Sequence, residues 1–162
     1  MKFTPKQLKW ILRTYPPFFF QRIWVNKIHP DFMGIDVTIS KSFLNINANK
    51  TIFGGTIFSS LDPLHSILLD QIFQAKGLSK TVAWLKSSQI SFLKPGTNKL
   101  KISIRLIPEE IDEALEIIKT RGKVIKTFQT DVYDLKGVLC AQATNEVYIR
   151  DLNYIIDRTK KG

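Results

Sequence analysis

Residues Asn47 to Asp70 read N-A-N-K-T-I-F-G-G-T-I-F-S-S-L-D-P-L-H-S-I-L-L-D, a polar loop that passes through a Gly-Gly step into a mostly apolar helix with one carboxylate near its start. A helix that begins at Gly54-Gly55 presents unpaired backbone N–H groups and the positive end of its dipole, which suits a developing oxyanion. At about 100° per residue, Gly55, Ser59, Asp62, Ser66 and Asp70 fall on one polar stripe of a hydrophobic cylinder. Pro63 allows two readings of that stripe. Asp-Pro is a favoured N-cap and first-position pair, so Asp62 could cap a helix that starts there. The apolar periodicity already begins at Ile57 and Phe58, which favours a helix running through Pro63 and freeing the carbonyl of Ser59 toward the stripe. His65 lies off the stripe and reads as a packed or surface histidine. Asp70 reads as a solvated or salt-bridged residue at the stripe's far end, and Asn47 as a side chain that holds its loop.

The helix is expected over residues 55–74, stopping near Gly77, with Leu61, Leu64, Leu68 and Ile72 on its main apolar face. Ile57, Phe58, Ile67, Leu69 and Phe73 spread apolar surface around most of its circumference, so it should be buried on nearly all sides. Upstream, Leu8, Ile11 and Leu12 have helical spacing over Pro5 to Thr14, and Pro16-Pro17 ends that helix. The aromatic cluster Phe18-Phe19-Phe20 with Trp24 then packs this extension, residues 1–22, onto the domain, with contact to a membrane surface as the alternative. Ile35 to Ile39 and Phe43 to Asn47 read as a hairpin turning at Ser40 to Ser42. Lys80 to Phe92 alternates weakly, and Leu100, Ile102, Ile104 and Leu106 alternate cleanly, with Pro95-Gly96 as the turn between them. Pro108-Glu109-Glu110 starts a helix that Lys119, Arg121 and Gly122 end. Lys123 to Tyr133 and Val138 to Ile149 form a last hairpin through Asp134 to Gly137. Strands joined by short turns imply an antiparallel sheet, wrapped around one apolar helix: an α+β fold of hotdog type.

At 162 residues the chain is one domain, and 44% hydrophobic content with 11% aromatic residues is enough for a core. One cysteine, Cys140, excludes a disulfide framework and sits in an alternating apolar run as a packed thiol. With His29 and His65 the only histidines, no zinc spacing exists, and neither metal nor cofactor is expected. No apolar run reaches the ~20 residues of a membrane span or the core of a signal peptide, so the expectation is a cytoplasmic protein without stable membrane insertion. The net charge of +10 is spread along the chain, with Arg158, Lys160 and Lys161 at the tail. Its readings are a plain basic surface, a nucleic acid, or the phosphates of coenzyme A; no specific nucleic acid is expected.

The segment around Gly54-Gly55 resembles the N-x-x-G-T-x-[FH]-G-G…D stretch of hotdog-fold thioesterases, in the F-G-G…D-P form of a poorly characterised branch. Ala83-Trp84-Leu85-Lys86, Ile90-Ser91-Phe92-Leu93-Lys94-Pro95-Gly96 and Val147-Tyr148-Ile149-Arg150 are similar to the same branch, so the likeness runs from about Gly34 to Arg150. It implies hydrolysis of an acyl-CoA or acyl-carrier thioester. Such a reaction needs an oxyanion donor, a carboxylate and a group that holds water, and these match Gly54 or Gly55, Asp62 and Ser66. Asn47, Phe53 and Ser59 are the expected substrate contacts. Eight residues of helix separate Gly54 from Asp62, about 12 Å along the axis, so one carbonyl cannot meet both groups of the same chain. The site therefore requires a homodimer with two equivalent sites, with a further tetramer left open. The sequence departs from the family pattern at Phe53, where many active members have histidine, and at Lys50, where glycine is preferred. A non-catalytic module that binds or senses an acyl thioester is the alternative.

Overall fold

The computed structural model describes residues 3–154, so the basic tail residues Arg158, Lys160 and Lys161 lie outside the described part. Thr4 and Gln7 form a reciprocal capping box, and Pro5 takes the first helical position, which starts α1 at Pro5–Thr14. Leu8 and Leu12 point inward from it. The Pro16-Pro17 pair that ends α1 also opens a second short helix, α2 (Pro16–Phe20), whose Phe18 is fully buried.

Strand β1 (Ile23–Ile28) follows, where sequence pattern had suggested only an aromatic cluster. It pairs antiparallel with β2 (Gly34–Ile39), from Ile23 opposite Ile39 to Ile28 opposite Ile35. The expected hairpin partner of β2, Phe43 to Asn47, is not a strand. Residues 40–53 form a loop held by Asn45, which donates to the carbonyls of Gln21 and Ser40 at 2.8 and 2.9 Å, and closed by one bridge between Ile46 and Ile52. The reason is competition for edges: both sides of β2 are taken, by β1 and by β4 (Leu100–Arg105).

The central helix crosses one face of the sheet as two abutting stretches, α3 (Gly54–Leu61) and α4 (Leu64–Ala75). Asp62 (φ −50°, ψ −58°) and Pro63 (φ −86°, ψ −12°) stay in the right-handed region, and the bonds Asp62 N–H to Phe58 O and Ile67 N–H to Pro63 O carry the helix through. Leu64, Leu68, Leu69 and Phe73 have no exposed surface, which agrees with the apolar face read from sequence. Burial is not all-round, however. Phe58 and Asp62, one turn apart, are exposed.

Strand β3 (Thr81–Phe92) lies at one edge and β1 at the other, in the order β1-β2-β4-β5-β6-β3. Helix α5 (Pro108–Arg121) links β4 to β5 (Lys123–Asp134), and β6 (Leu139–Asp151) closes the hairpin. Gly122, at φ +73°, ends α5 in the left-handed conformation that glycine adopts without strain. Pro95-Gly96 does not join two paired strands as expected. Residues 93–99 carry the chain across the sheet from its β3 edge to β4, held where Ile52 N–H donates to Gly96 O at 2.8 Å. All pairing is antiparallel, as expected. Cys140 is buried among this apolar packing, and that burial pushes its thiol pKa up. No helix among the described residues is long and apolar enough to cross a membrane.

Candidate functional site

The start of α3 is built by two aromatic rings against two glycines. Phe53 is the N-cap residue in extended geometry, and its carbonyl accepts from Thr56 N–H at 2.9 Å. Among the described residues no acceptor meets the N–H of Gly54 or Gly55, as the geometry of a first helical turn requires. A Cβ on Gly55 would lie 2.2 Å from the Phe53 ring, and one on Gly54 would lie 3.0 Å from the ring of Phe92. The Gly-Gly step is thus what lets both rings close over the helix start. Phe53 itself remains half exposed, on the outer side of this turn.

Asn47 organises the preceding loop. Its carbonyl oxygen accepts from the N–H groups of Asn49 and Thr51 at 3.0 and 3.1 Å, and its amide nitrogen lies 2.9 Å from the Thr51 hydroxyl. The turn so formed holds Lys50 at φ +56°. This explains the glycine preferred there by the related sequences, since a side chain in the left-handed region costs roughly 1–2 kcal/mol. Lys50→Gly is expected to stabilise the fold by about 0.5 kcal/mol, once the added freedom of the unfolded chain is subtracted, as read from a denaturant midpoint.

Two turns further on, the exposed carboxylate of Asp62 has no hydrogen bond or ion pair among the described residues. Partial burial raises its pKa above the ordinary aspartate value. Asp62 does not cap α4: its backbone is helical and α4 carries no side-chain cap. One turn later Ser66 is buried, and its hydroxyl has no partner among the described residues. Ser59, one turn before Asp62, is half buried on the same side. The stripe read from sequence is therefore present, graded from an open carboxylate to a sealed hydroxyl. Its last member is structural. Asp70 accepts from Thr81 Oγ1 at 2.5 Å and Gln74 Nε2 at 2.8 Å, tying the helix to the first residue of β3. Asp70→Ala should cost about 1–2 kcal/mol of stability by leaving the buried Thr81 hydroxyl without its carboxylate acceptor, measurable by thermal denaturation, without touching the Asp62 and Ser66 region.

Other buried polar side chains that sequence pattern does not single out as site residues lie in the helix and sheet interior. His65 is 2% exposed, stacked on Phe128 with ring centroids 4.4 Å apart, and its Nδ1 has no partner among the described residues. Burial lowers its pKa to about 4, so the ring is neutral at ordinary pH. Asn145 on β6 is buried and accepts from Ser88 Oγ at 2.7 Å, and among the described residues neither its amide nitrogen nor the buried Thr130 hydroxyl on β5 has a partner. The signal that could have found Asn145 is its parity: it shares the inward register of Ala141, Ala143, Val147 and Ile149. Phe58, whose apolar character suggests burial, and Phe92 of β3 border the start of α3 as exposed rings.

Among the described residues no group of three or more His, Cys, Asp and Glu side chains is placed to hold a metal ion.

The fold is shared with several solved structures. A Pseudomonas aeruginosa protein described as a probable thioesterase superposes with a TM-score of 0.80 at 16% identity, over 92% of this chain and 97% of that one. A thioesterase of Haemophilus influenzae gives 0.68 at 14% identity, over 95% of each chain. The PaaI protein of the phenylacetic acid degradation operon of Escherichia coli gives 0.60 at 12% identity, over 90% and 95%. These likenesses establish the hotdog fold, with the α3–α4 helix against a six-stranded antiparallel sheet. No curated protein matches the chain. Residues 5–149 match the family described as a domain of unknown function, DUF4442, and the chain belongs to that family.

Proposed function

We propose that the protein is a homodimeric thioesterase that hydrolyses an acyl-CoA or acyl-carrier thioester, with Asp62 acting on the substrate carbonyl or on its attacking water. The observation that carries this reading is the open, unpaired carboxylate of Asp62 one turn before the sealed, unpartnered hydroxyl of Ser66, on the helix whose Gly54 and Gly55 amides are also unbonded. The thioesterases among the structural relatives support the choice of chemistry.

In the reaction, water adds to the thioester carbon, the C–S bond breaks, and acid and thiol leave. Asp62 as base takes the water's proton and returns it to the sulfur; as nucleophile it forms a mixed anhydride that water then opens. A glycine amide stabilises the oxyanion, and the Ser66 hydroxyl holds the water. The two ends belong to different subunits, because about 12 Å of helix separates them within one chain.

The dimer would form along β3, a twelve-residue edge strand that carries exposed Trp84 and Phe92 and is followed by exposed Leu93, since a long open edge is a template for pairing. A two-fold axis that sets Asp62 of one subunit against Gly54 of the other passes beside residue 58, midway between them. The exposed ring of Phe58 stands there. Release of free thiol from a panel of acyl-CoA esters tests the reading, and a uniformly inert panel would overturn it.

A second reading, a module that binds acyl thioesters without hydrolysing them, is favoured by one feature: the Phe53 ring lies against Gly55, over the turn that would supply the oxyanion donor. Tight binding of a non-hydrolysable acyl-CoA analogue with no turnover of the ester would select it.

A further inference from the structure

A second concave site lies at the β1 edge of the sheet, where α2, the end of β2 and the loop after it meet the start of β4. It is a cavity of about 630 Å³, and its lining includes three aromatic rings, Phe19, Trp24 and Phe43, and three cations, Arg22, Lys41 and Lys99. No aspartate or glutamate lines it. None of the three cations has a carboxylate partner among the described residues, whereas Lys76, Lys86, Arg105, Lys119 and Lys126 are all paired elsewhere. Phe43 is 81% exposed, in a loop where a ring gains nothing from its own fold.

Arg22 adds an independent sign. It sits at φ +60°, a conformation that glycine or asparagine would hold at less cost. Strained side chains persist where position matters more than local stability. Arg13 stacks on Trp24, with its guanidinium 4.3 Å from the ring centroid, and so holds that indole in place. The field of this region is one-sided as well: residues 1–61 contain eight Lys or Arg and only two acids, Asp31 and Asp36. Asp36 is already engaged by His29, Ser103 and Arg105.

Flat rings for stacking, combined with unpaired cations for phosphate, are the chemistry that recognises a nucleotide. We propose that this cavity is a nucleotide site and that it receives the phosphoadenosine end of coenzyme A. The identification of the nucleotide rests on the thioester-hydrolase reading, while the site itself rests on the residues that line it. The loop of residues 40–53 connects the two places: Ser40, Lys41, Ser42 and Phe43 line the cavity, and Asn45 of the same loop accepts from the N–H of Phe53, the residue before Gly54. The loop thus runs from the end of β2, at the cavity, to the start of α3, at the candidate site. The reading selects a CoA thioester over an acyl-carrier thioester, because a carrier protein's phosphopantetheine arm has no adenosine to place there.

Titration calorimetry of the full chain with adenosine 3′,5′-bisphosphate, inorganic phosphate and adenosine tests the proposal without any turnover. The bisphosphate is expected to bind at least about tenfold more tightly than phosphate or adenosine alone, since it engages rings and cations together. Arg22→Gly, which relaxes the backbone and removes the guanidinium, should weaken it by about tenfold or more, and Phe43→Ala should weaken it while leaving the circular dichroism spectrum unchanged. Lys119→Ala, on the far helix, should not change it. Equal affinity for bisphosphate and inorganic phosphate, or binding that survives both Arg22→Gly and Phe43→Ala, would overturn the site. Bisphosphate binding in a protein that hydrolyses no acyl-CoA ester would sink the hydrolase reading and leave the cavity standing; hydrolysis without nucleotide binding would do the reverse.

Discussion

Asp62→Ala is expected to lower kcat on any accepted thioester by about 10²–10⁴-fold while leaving the dimer intact, because removing a positioned base or nucleophile leaves only binding and the oxyanion donor. The side chain is exposed and unbonded, so its loss disturbs no packing. Gly54→Pro should be nearly as damaging for a separate reason. Position 54 is the first helical residue, where proline is at home, and Phe53 at φ −62°, ψ 132° already has the conformation that a following proline demands. The substitution therefore deletes one N–H while the backbone keeps its course, at the cost that the exposed Phe92 ring, 3.0 Å from the new Cβ, gives way by a few tenths of an ångström; a lost oxyanion donor costs about 10²–10³-fold in kcat.

The two variants together test where the site lies. In a heterodimer of one subunit of each kind, one site loses both groups and the other keeps a native Asp62 opposite a native Gly54. Equal mixing after dissociation should restore about one quarter of native activity, since half of the dimers are mixed and each has one intact site. A mixture as inactive as its parents would show that the two groups do not act across a subunit interface. The acid limb of the pH profile is a further check. Asp62 must be ionised to act, and burial raises its pKa, so activity should fall on acidification at a pH above that of an ordinary aspartate.

Loss of stability in mild acid is the second large effect. His65 is buried against Phe128, and burial depresses its pKa from 6.5 to about 4. In the unfolded chain the imidazole takes up a proton below about pH 6.5, whereas in the folded protein it resists until about pH 4. The stabilisation is therefore complete above pH 6.5 and is lost as pH falls through that window. The shift corresponds to a loss on the order of 3 kcal/mol, or roughly 6–12 °C in Tm for a domain of this size. His65→Leu, which cannot titrate, should flatten the Tm profile between pH 6.5 and pH 4. An unchanged slope in that variant would mean that another group carries the acid response.

Asp36 acts in the same direction at lower pH. Burial would raise its pKa, but hydrogen bonds from Ser103, His29 and Arg105 together hold it below the ordinary value, so its contribution disappears only once the carboxylate is protonated.

What the chain determined by itself is what depends on near neighbours. The Thr4 and Gln7 box, the acids and bases at the two ends of α5, the turn through Asp134 and Gly137, and the clean alternation of Leu100, Ile102 and Ile104 all act within a few residues, so their periods and caps could be read directly. The same holds for the stripe from Gly55 to Asp70, since a helix fixes which side chains share a face.

Tertiary structure decided the rest, because strand pairing is a contest among distant segments for a limited number of edges. β2 is flanked by β1 and β4, so Phe43 to Asn47 was left as a loop, and Pro95-Gly96 became a crossing between opposite regions of the sheet. The stacking of His65 on Phe128, sixty-three residues later, and the meeting of Arg22, Lys41 and Lys99 around one cavity follow from that contest and leave no local trace. The exposure of Phe58 has the same origin: its apolar character is plain in the sequence, but only the position of the sheet's edge determines that this part of the helix faces outward.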